Sequence, residues 1–284
     1  MLKSNKFQQI ALVAYIGIVL LWAFLHLSGR TGQHVDKVNY WYSFLFGLIP
    51  LMGGVVGMWQ SHIWGGLKSV LGKAIFLFSL GLLLWGFGET IWSYYNFFKG
   101  EPAPYPSLAD IGFSPSVFFW ILGTIFLGKA SGAIYAFRKS VIAKTTAIVM
   151  VLLLSALAYY MLVNVARGGV LVPKGETILK TVLDIAYPLG DFLALTFAAV
   201  VIVLSRKYLG GFYRLPIAFI LIGLSMMYFG DFSFSYTTTI GTFYNGNLGD
   251  LLLASGTFFM TFGILGFAVQ PTSKSAIKKA TGIM

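Results

Sequence analysis

The chain has 284 residues, 57% of them apolar and only 10% charged, with a mean hydropathy of +0.81. A water-soluble domain would carry about a quarter charged residues, so the composition excludes an ordinary soluble fold and points to bilayer spans of about 20 residues each. The net charge of +11 does not indicate nucleic acid, because the basic residues punctuate apolar segments; the absence of cysteine excludes disulfides, thiolate catalysis, Cys-based zinc sites and Fe–S clusters.

The apolar segments predict eight transmembrane helices, at about 8–28, 39–60, 71–98, 112–136, 142–166, 178–205, 213–236 and 248–270. The expected fold is all-α, a polytopic membrane bundle built from repeated helical hairpins. Residues 1–270 form a single transmembrane domain and residues 271–284 a short basic cytoplasmic tail. The first segment follows Lys3 and Lys6 as a signal sequence would. Its apolar run is long and no small-x-small cleavage site precedes Gly29, so it is read as a retained helix. With the N-terminus cytoplasmic, fourteen of the twenty Lys and Arg residues fall in inside segments. An even helix count returns the C-terminus to the same side. The expected location is the cell membrane.

Phe87-Gly88-Glu89-Thr90-Ile91-Trp92-Ser93-Tyr94 aligns with Phe229-Gly230-Asp231-Phe232-Ser233-Phe234-Ser235-Tyr236. An acid opening the next helix follows each: Asp110 lies 21 residues after Glu89, and Asp250 lies 19 after Asp231. Asn164 and Asp184 fit the same frame weakly, and His26 stands in the equivalent place of the first pair. The period is about 70 residues, one outward-closing hairpin per copy. Hairpins repeated in one orientation imply pseudo-symmetry about an axis along the membrane normal.

None of the nine acids falls in a cytoplasmic segment under this orientation. Asp36, Glu101 and Glu176 belong to outer loops, Glu89 and Asp231 lie one to two turns below the outer boundary, and Asp191 lies deeper. A carboxylate facing lipid at depth costs several kcal/mol, so these groups are expected to face the bundle interior. The functional expectation is an outward pocket lined by Glu89, Asp191 and Asp231, with Trp85, Trp92, Tyr187, Tyr228 and Tyr236 as neighbours. Carboxylates with aromatic faces suit an organic cation or amine through charge pairing and cation–π contact; a metal ion or protons are alternatives. Carboxylates crowded together repel, so some are expected to hold protons.

A structural role competes with this. Asp110, Asp184 and Asp250 stand where N-caps stand, and an acid there complements the helix dipole. In the loop Pro102-Ala103-Pro104-Tyr105-Pro106-Ser107-Leu108-Ala109-Asp110, Ser107 is placed to cap the next helix with Asp110 as the acid of a capping box, and the proline-rich loop is expected to roof the bundle. Glu89 and Asp231 lie near helix C-termini, where an acid is unfavourable, so capping does not explain them. His26, His34 and His62 do not form a metal set, although His26 could join the acids. No lysine lies mid-membrane, and GxSxG and P-loop motifs are absent. No cofactor is expected.

Four outer motifs stand in order: Pro106-Ser107-Leu108-Ala109-Asp110; Leu183-Asp184-Ile185-Ala186-Tyr187-Pro188-Leu189-Gly190-Asp191; Gly230-Asp231 with Tyr236; and Tyr244-Asn245-Gly246 before Asp250. Over about residues 85–270 this order resembles multi-helix membrane domains that precede diguanylate cyclase or histidine kinase modules in bacteria and archaea. The resemblance implies a membrane sensor or ligand-receiving domain, without lending it known binding residues. No GGDEF motif or kinase region follows Gln270, so a sensor of this kind would signal through a cytoplasmic or membrane partner, with the lipid bilayer as its other partner. A small transporter or proton pathway is a second expectation, and it would need polar groups in the cytoplasmic half, where Ser79, Thr124, Ser155, Thr196 and Ser225 are the few available. An intramembrane hydrolase using Glu89 and Asp231 as acid and base is a third.

Overall fold

The computed structural model describes residues 5–99, 104–172, 174–205 and 214–268. Glu101, Pro102, Ala103, Arg206, Lys207 and the tail 271–284 lie outside the described residues. The helices are α1 Lys6–Leu27, α2 Lys37–Ile63, α3 Val70–Tyr94, α4 Asp110–Ala130, α5 Ala133–Lys139, α6 Val141–Tyr159, α7 Ile178–Ser205, α8 Arg214–Thr239 and α9 Leu248–Leu265. All but the seven-residue α5 are long and apolar enough to cross a bilayer. The chain is a multi-pass, all-α membrane bundle.

Local chemistry sets the ends. Asn5, Asp36, Ser69, Ser140 and Asn247 cap α1, α2, α3, α6 and α9, each side chain accepting a first-turn backbone N–H. The fourth span was expected to run to 136 as one helix. It stops at Ala130 instead, because Gly132 adopts φ +72°, a conformation open to glycine, and α5 starts afresh. Beyond α3 and α6 the chain makes single π-helical turns, Tyr95–Lys99 and Tyr160–Val165.

Six helices form a closed ring in the order α2, α3, α4, α7, α8, α9, with α9 returning to α2. Helix α1 lies outside the ring against α9 and α2, and α6 lies outside it against α7. The sequence α1–α4 is thus repeated by α6–α9, with each helix running in the same direction as its counterpart. The hairpin period of about 70 residues is nested in this larger repeat, and the pseudo-two-fold axis runs down the ring. Glycines permit the close approaches within it: a Cβ at Gly112 of α4 would lie 2.7 Å from the Gly88 Cα of α3, and one at Gly223 of α8 would lie 2.7 Å from the Gly256 carbonyl of α9. At one end of the ring the Asn5 amide donates to the Leu265 carbonyl (2.7 Å) and the Gln8 amide to Phe262 (3.0 Å). These bonds satisfy carbonyls that the last turn of α9 leaves open, and they bring the start of α1 and the end of α9 to one face.

Candidate functional site

A cavity of about 580 Å³, its mouth included, occupies the ring axis toward the opposite end. Its wall takes Ser43 and Phe46 from α2, Trp85, Glu89 and Trp92 from α3, and Asp110, Phe113 and Val117 from α4. Tyr187 of α7, Asp231 and Phe234 of α8, and Asp250 and Leu253 of α9 complete it, with Tyr105 and Phe243 from the loops. The lining is paired across the pseudo-symmetry: Ser43 with Tyr187, Glu89 with Asp231, Trp92 with Phe234, Asp110 with Asp250, Phe113 with Leu253. Each helix of the ring therefore contributes at least one wall residue.

The four carboxyls differ in how they are held. Asp110 does not precede its helix as a cap; it is the first residue of α4, its carboxylate accepting the Ser107 backbone N–H (2.7 Å) and the Tyr187 hydroxyl (2.6 Å). The acid half of the expected capping box is present, while the Ser107 hydroxyl accepts from Ala109 rather than from Asp110. Asp250 likewise lies inside α9, behind the true cap Asn247, and accepts the Gly246 N–H (2.6 Å). Glu89 is different. Its side chain is buried, opens on the cavity and takes no hydrogen bond from a described residue. Gly47 of α2 makes room for it, since a Cβ there would lie 2.7 Å from the Glu89 Cγ. Asp231 lies within hydrogen-bonding reach of Asp191, which stands behind the wall rather than in it.

Above the carboxyls sits an aromatic cluster. Phe234 packs edge-on against Tyr105 (ring centroids 4.9 Å), Phe243 (5.0 Å) and Trp92 (5.8 Å). Tyr105 belongs to the loop expected to roof the bundle, and it does so; burial, and then the Asp184 carboxylate, push its phenol above the ordinary range, so it stays neutral. The cluster is fixed by a buried amide that the sequence offered only as part of the Tyr244-Asn245-Gly246 motif. Asn245 accepts from the Trp92 indole (3.0 Å) and the Ser43 hydroxyl (3.3 Å), donates to Asn96 (3.4 Å), and its carbonyl accepts from Asn39 (2.8 Å). The Asn-Gly pair at 245–246 signals a turn in the sequence; nothing there says that the turn dips into the bundle.

Four candidate residues fall elsewhere. Asp184 is neither a cap nor a wall residue: it lies inside α7, fully buried, paired with Arg167 and with Lys180 (3.0 Å). Arg167 and Lys180 also hold Glu176, at 3.3 and 2.9 Å, and Arg167 donates to the Leu162 carbonyl (2.8 Å). Two cations therefore draw Asp184 away from the cavity. Tyr236 is outside the wall because five helical positions after Asp231 turn it roughly 140° around α8; Phe234 takes the place expected of it. Tyr228 packs on Phe192 (5.8 Å) instead. His26 packs tilted against Trp22 (ring centroids 3.9 Å), its Nδ1 hydrogen-bonded to the Trp22 carbonyl, and does not join the acids. Glu89, Asp231, Asp110, Asp250, Trp92 and Tyr187 are brought together as expected.

Among the described residues, no Lys, Arg or His lines the cavity, and no group of His, Cys, Asp and Glu is arranged to hold a metal ion. Carboxyl oxygens and aromatic faces, with no cationic side chain to neutralise them, complement a cation that is itself partly apolar. Comparison with protein-family models, with curated proteins and with solved structures finds no match to this chain.

Proposed function

We propose that this protein is a membrane receptor for an organic cation or amine, bound in the axial cavity and signalled onward through a cytoplasmic or membrane partner. The observation that carries the reading is the Glu89 carboxyl: buried and, among the described residues, without a hydrogen-bond partner and opening into an aromatic chamber lined by no basic group. A buried carboxylate in that position is costly unless a cation or a proton completes it. Asp110 and Asp250 are engaged by backbone N–H groups and shape the site, while Glu89 and Asp231 meet the ligand. The cavity faces outward under the orientation that the Lys and Arg distribution favours.

Transport is the weaker reading. Two parallel halves around one cavity suit a transporter. Beneath the cavity, however, the hydroxyls of Ser79, Thr124 and Ser225 are bonded to carbonyls of their own helices, leaving, among the described residues, the unpartnered Gln60, Thr196 and Thr261, and no carboxyl, to continue a path. A carboxylate-dependent hydrolase has no nucleophile motif in the sequence to support it.

The test is thermal unfolding of the purified protein in lipid nanodiscs with benzyltrimethylammonium and benzylamine as probes and benzyl alcohol as the uncharged control. The expected result is that the ammonium probes raise the unfolding temperature of the wild type, the alcohol does not, and Glu89→Gln abolishes the response. An unfolding temperature indifferent to every ammonium, or raised equally in Glu89→Gln, overturns the reading.

A further inference from the structure

Asp191 lies within α7, closed off from solvent, and no N–H or O–H of a described residue reaches either of its carboxyl oxygens. What does reach it is the Asp231 carboxyl of α8, which is at the same time part of the cavity wall. The other titratable groups facing this pair are Asp110 of α4 and Tyr187 of α7, and the Tyr187 hydroxyl is already committed to Asp110. No basic side chain faces it among the described residues. Two ionised carboxylates in such contact repel, and neither can donate a hydrogen bond. A proton supplies the missing donor, since one carboxylic acid then donates its O–H to the other carboxylate.

The first half of the chain shows that this is not a requirement of the fold. The residue packed against Glu89 from α2 is Gly47, where Asp191 of α7 is packed against Asp231. One half thus presents a single carboxyl to the cavity and the other a carboxyl with a second one behind it.

We propose that Asp191 and Asp231 form a proton-binding site that holds one proton between them, and that a cation arriving in the cavity displaces it. The exchange rests on the cation reading given above; the shared proton does not. The O–H bond of the pair breaks, the proton leaves to water through the cavity, and the ammonium takes its place beside Asp231. One positive charge enters as one leaves, so the net charge of the buried site is unchanged and no oxidant or other reactant is needed.

Infrared spectroscopy of the unliganded protein in nanodiscs, in light and heavy water, tests the shared proton. The wild type is expected to show at neutral pH the carbonyl stretch of a protonated carboxylic acid that both Asp191→Asn and Asp231→Asn remove and Glu89→Gln leaves in place. Asp191→Ser repeats the test should either amide variant fail to fold. A spectrum changed by none of the Asp191 and Asp231 substitutions overturns the shared proton. The exchange is read separately, from the pH dependence of stabilisation by benzyltrimethylammonium. Release of one proton per cation makes apparent affinity rise about tenfold per pH unit in the wild type, and Asp191→Asn flattens that slope. A flat slope in the wild type overturns the exchange and leaves the cation reading intact. A probe that fails to bind overturns the exchange together with the cation reading, while the infrared band still stands for the shared proton.

Discussion

Glu89 and Asp231 hold matching positions in α3 and α8 and meet the same cavity, but the helix beside each offers a different neighbour: Gly47 to Glu89, Asp191 to Asp231. The axis of the fold makes these carboxyls equivalent in position, and the adjoining side chain makes them unlike in chemistry.

Gly47→Ala separates the position of Glu89 from the packing of its helix. The added Cβ meets the Glu89 Cγ at 2.7 Å and its Cβ at 3.0 Å, so the Glu89 side chain must swing aside while the two helices yield slightly. Loss of a helix-interior glycine offsets much of the strain, by about 1 kcal/mol. The expected outcome is an unfolding temperature close to wild type with a severalfold weaker response to benzyltrimethylammonium. Gly54→Ala is the contrast: its Cβ would lie 2.7 Å from the Leu83 backbone nitrogen, so α2 and α3 must part. That change is expected to cost about 1–3 kcal/mol, seen as a lower unfolding temperature without any probe.

Removing Arg167 leaves Asp184 buried with Lys180 as its remaining cation. Breaking one partner of a buried pair costs about 3–5 kcal/mol, and the surviving Lys180 places Arg167→Met at the lower end of that range. Replacing both partners, as in Arg167→Met with Asp184→Leu, is expected to recover most of the loss because no unpaired charge remains. Equilibrium unfolding of the two single variants and the double variant checks this; a double variant as unstable as the sum of the singles contradicts it.

Asn245→Ala removes the acceptor of the Trp92 indole and the Ser43 hydroxyl together with the donor to Asn96. An orphaned buried donor costs about 1–3 kcal/mol. Stability is expected to fall by at least that much, and hydrogen exchange to quicken in the turn around Asn245. The Asn39 bond survives, since it is made to the Asn245 backbone.

Asp36 caps α2 with its carboxyl held below the ordinary range, chiefly by the hydrogen bond from Arg30 and then by the Val38 N–H. A depressed folded value means that its contribution is fully present above about pH 3.9, the unfolded value, and is lost as pH falls through the lower folded one. The difference in unfolding temperature between wild type and Asp36→Ala is therefore expected to be constant near neutrality and to shrink only in acid. Arg30→Gln is expected to move that loss to higher pH.

The eight spans were legible because an apolar run of bilayer length is a property of contiguous residues. The break at Gly132 was not, because an apolar run does not reveal which glycine turns left-handed. The matched acids Glu89 and Asp231 were legible from a repeated local motif. Arg167 follows an apolar run, a position where a basic residue ordinarily meets water, and its burial is apparent only once the chain after α6 has folded back against α7.

What the amino-acid order by itself determined is that the chain must bury its acids inside a bundle of apolar helices, since hydrocarbon solvates neither charge nor open backbone. The tertiary structure alone decided which acid meets which partner. Asp184 and Asp191 lie seven residues apart, on about the same face of α7, yet the first finds Arg167 and Lys180 while the second finds Asp231. Helical periodicity fixes the direction of a side chain about its own axis. What stands opposite it depends on which helix crosses at that height, and that is settled by packing around the ring.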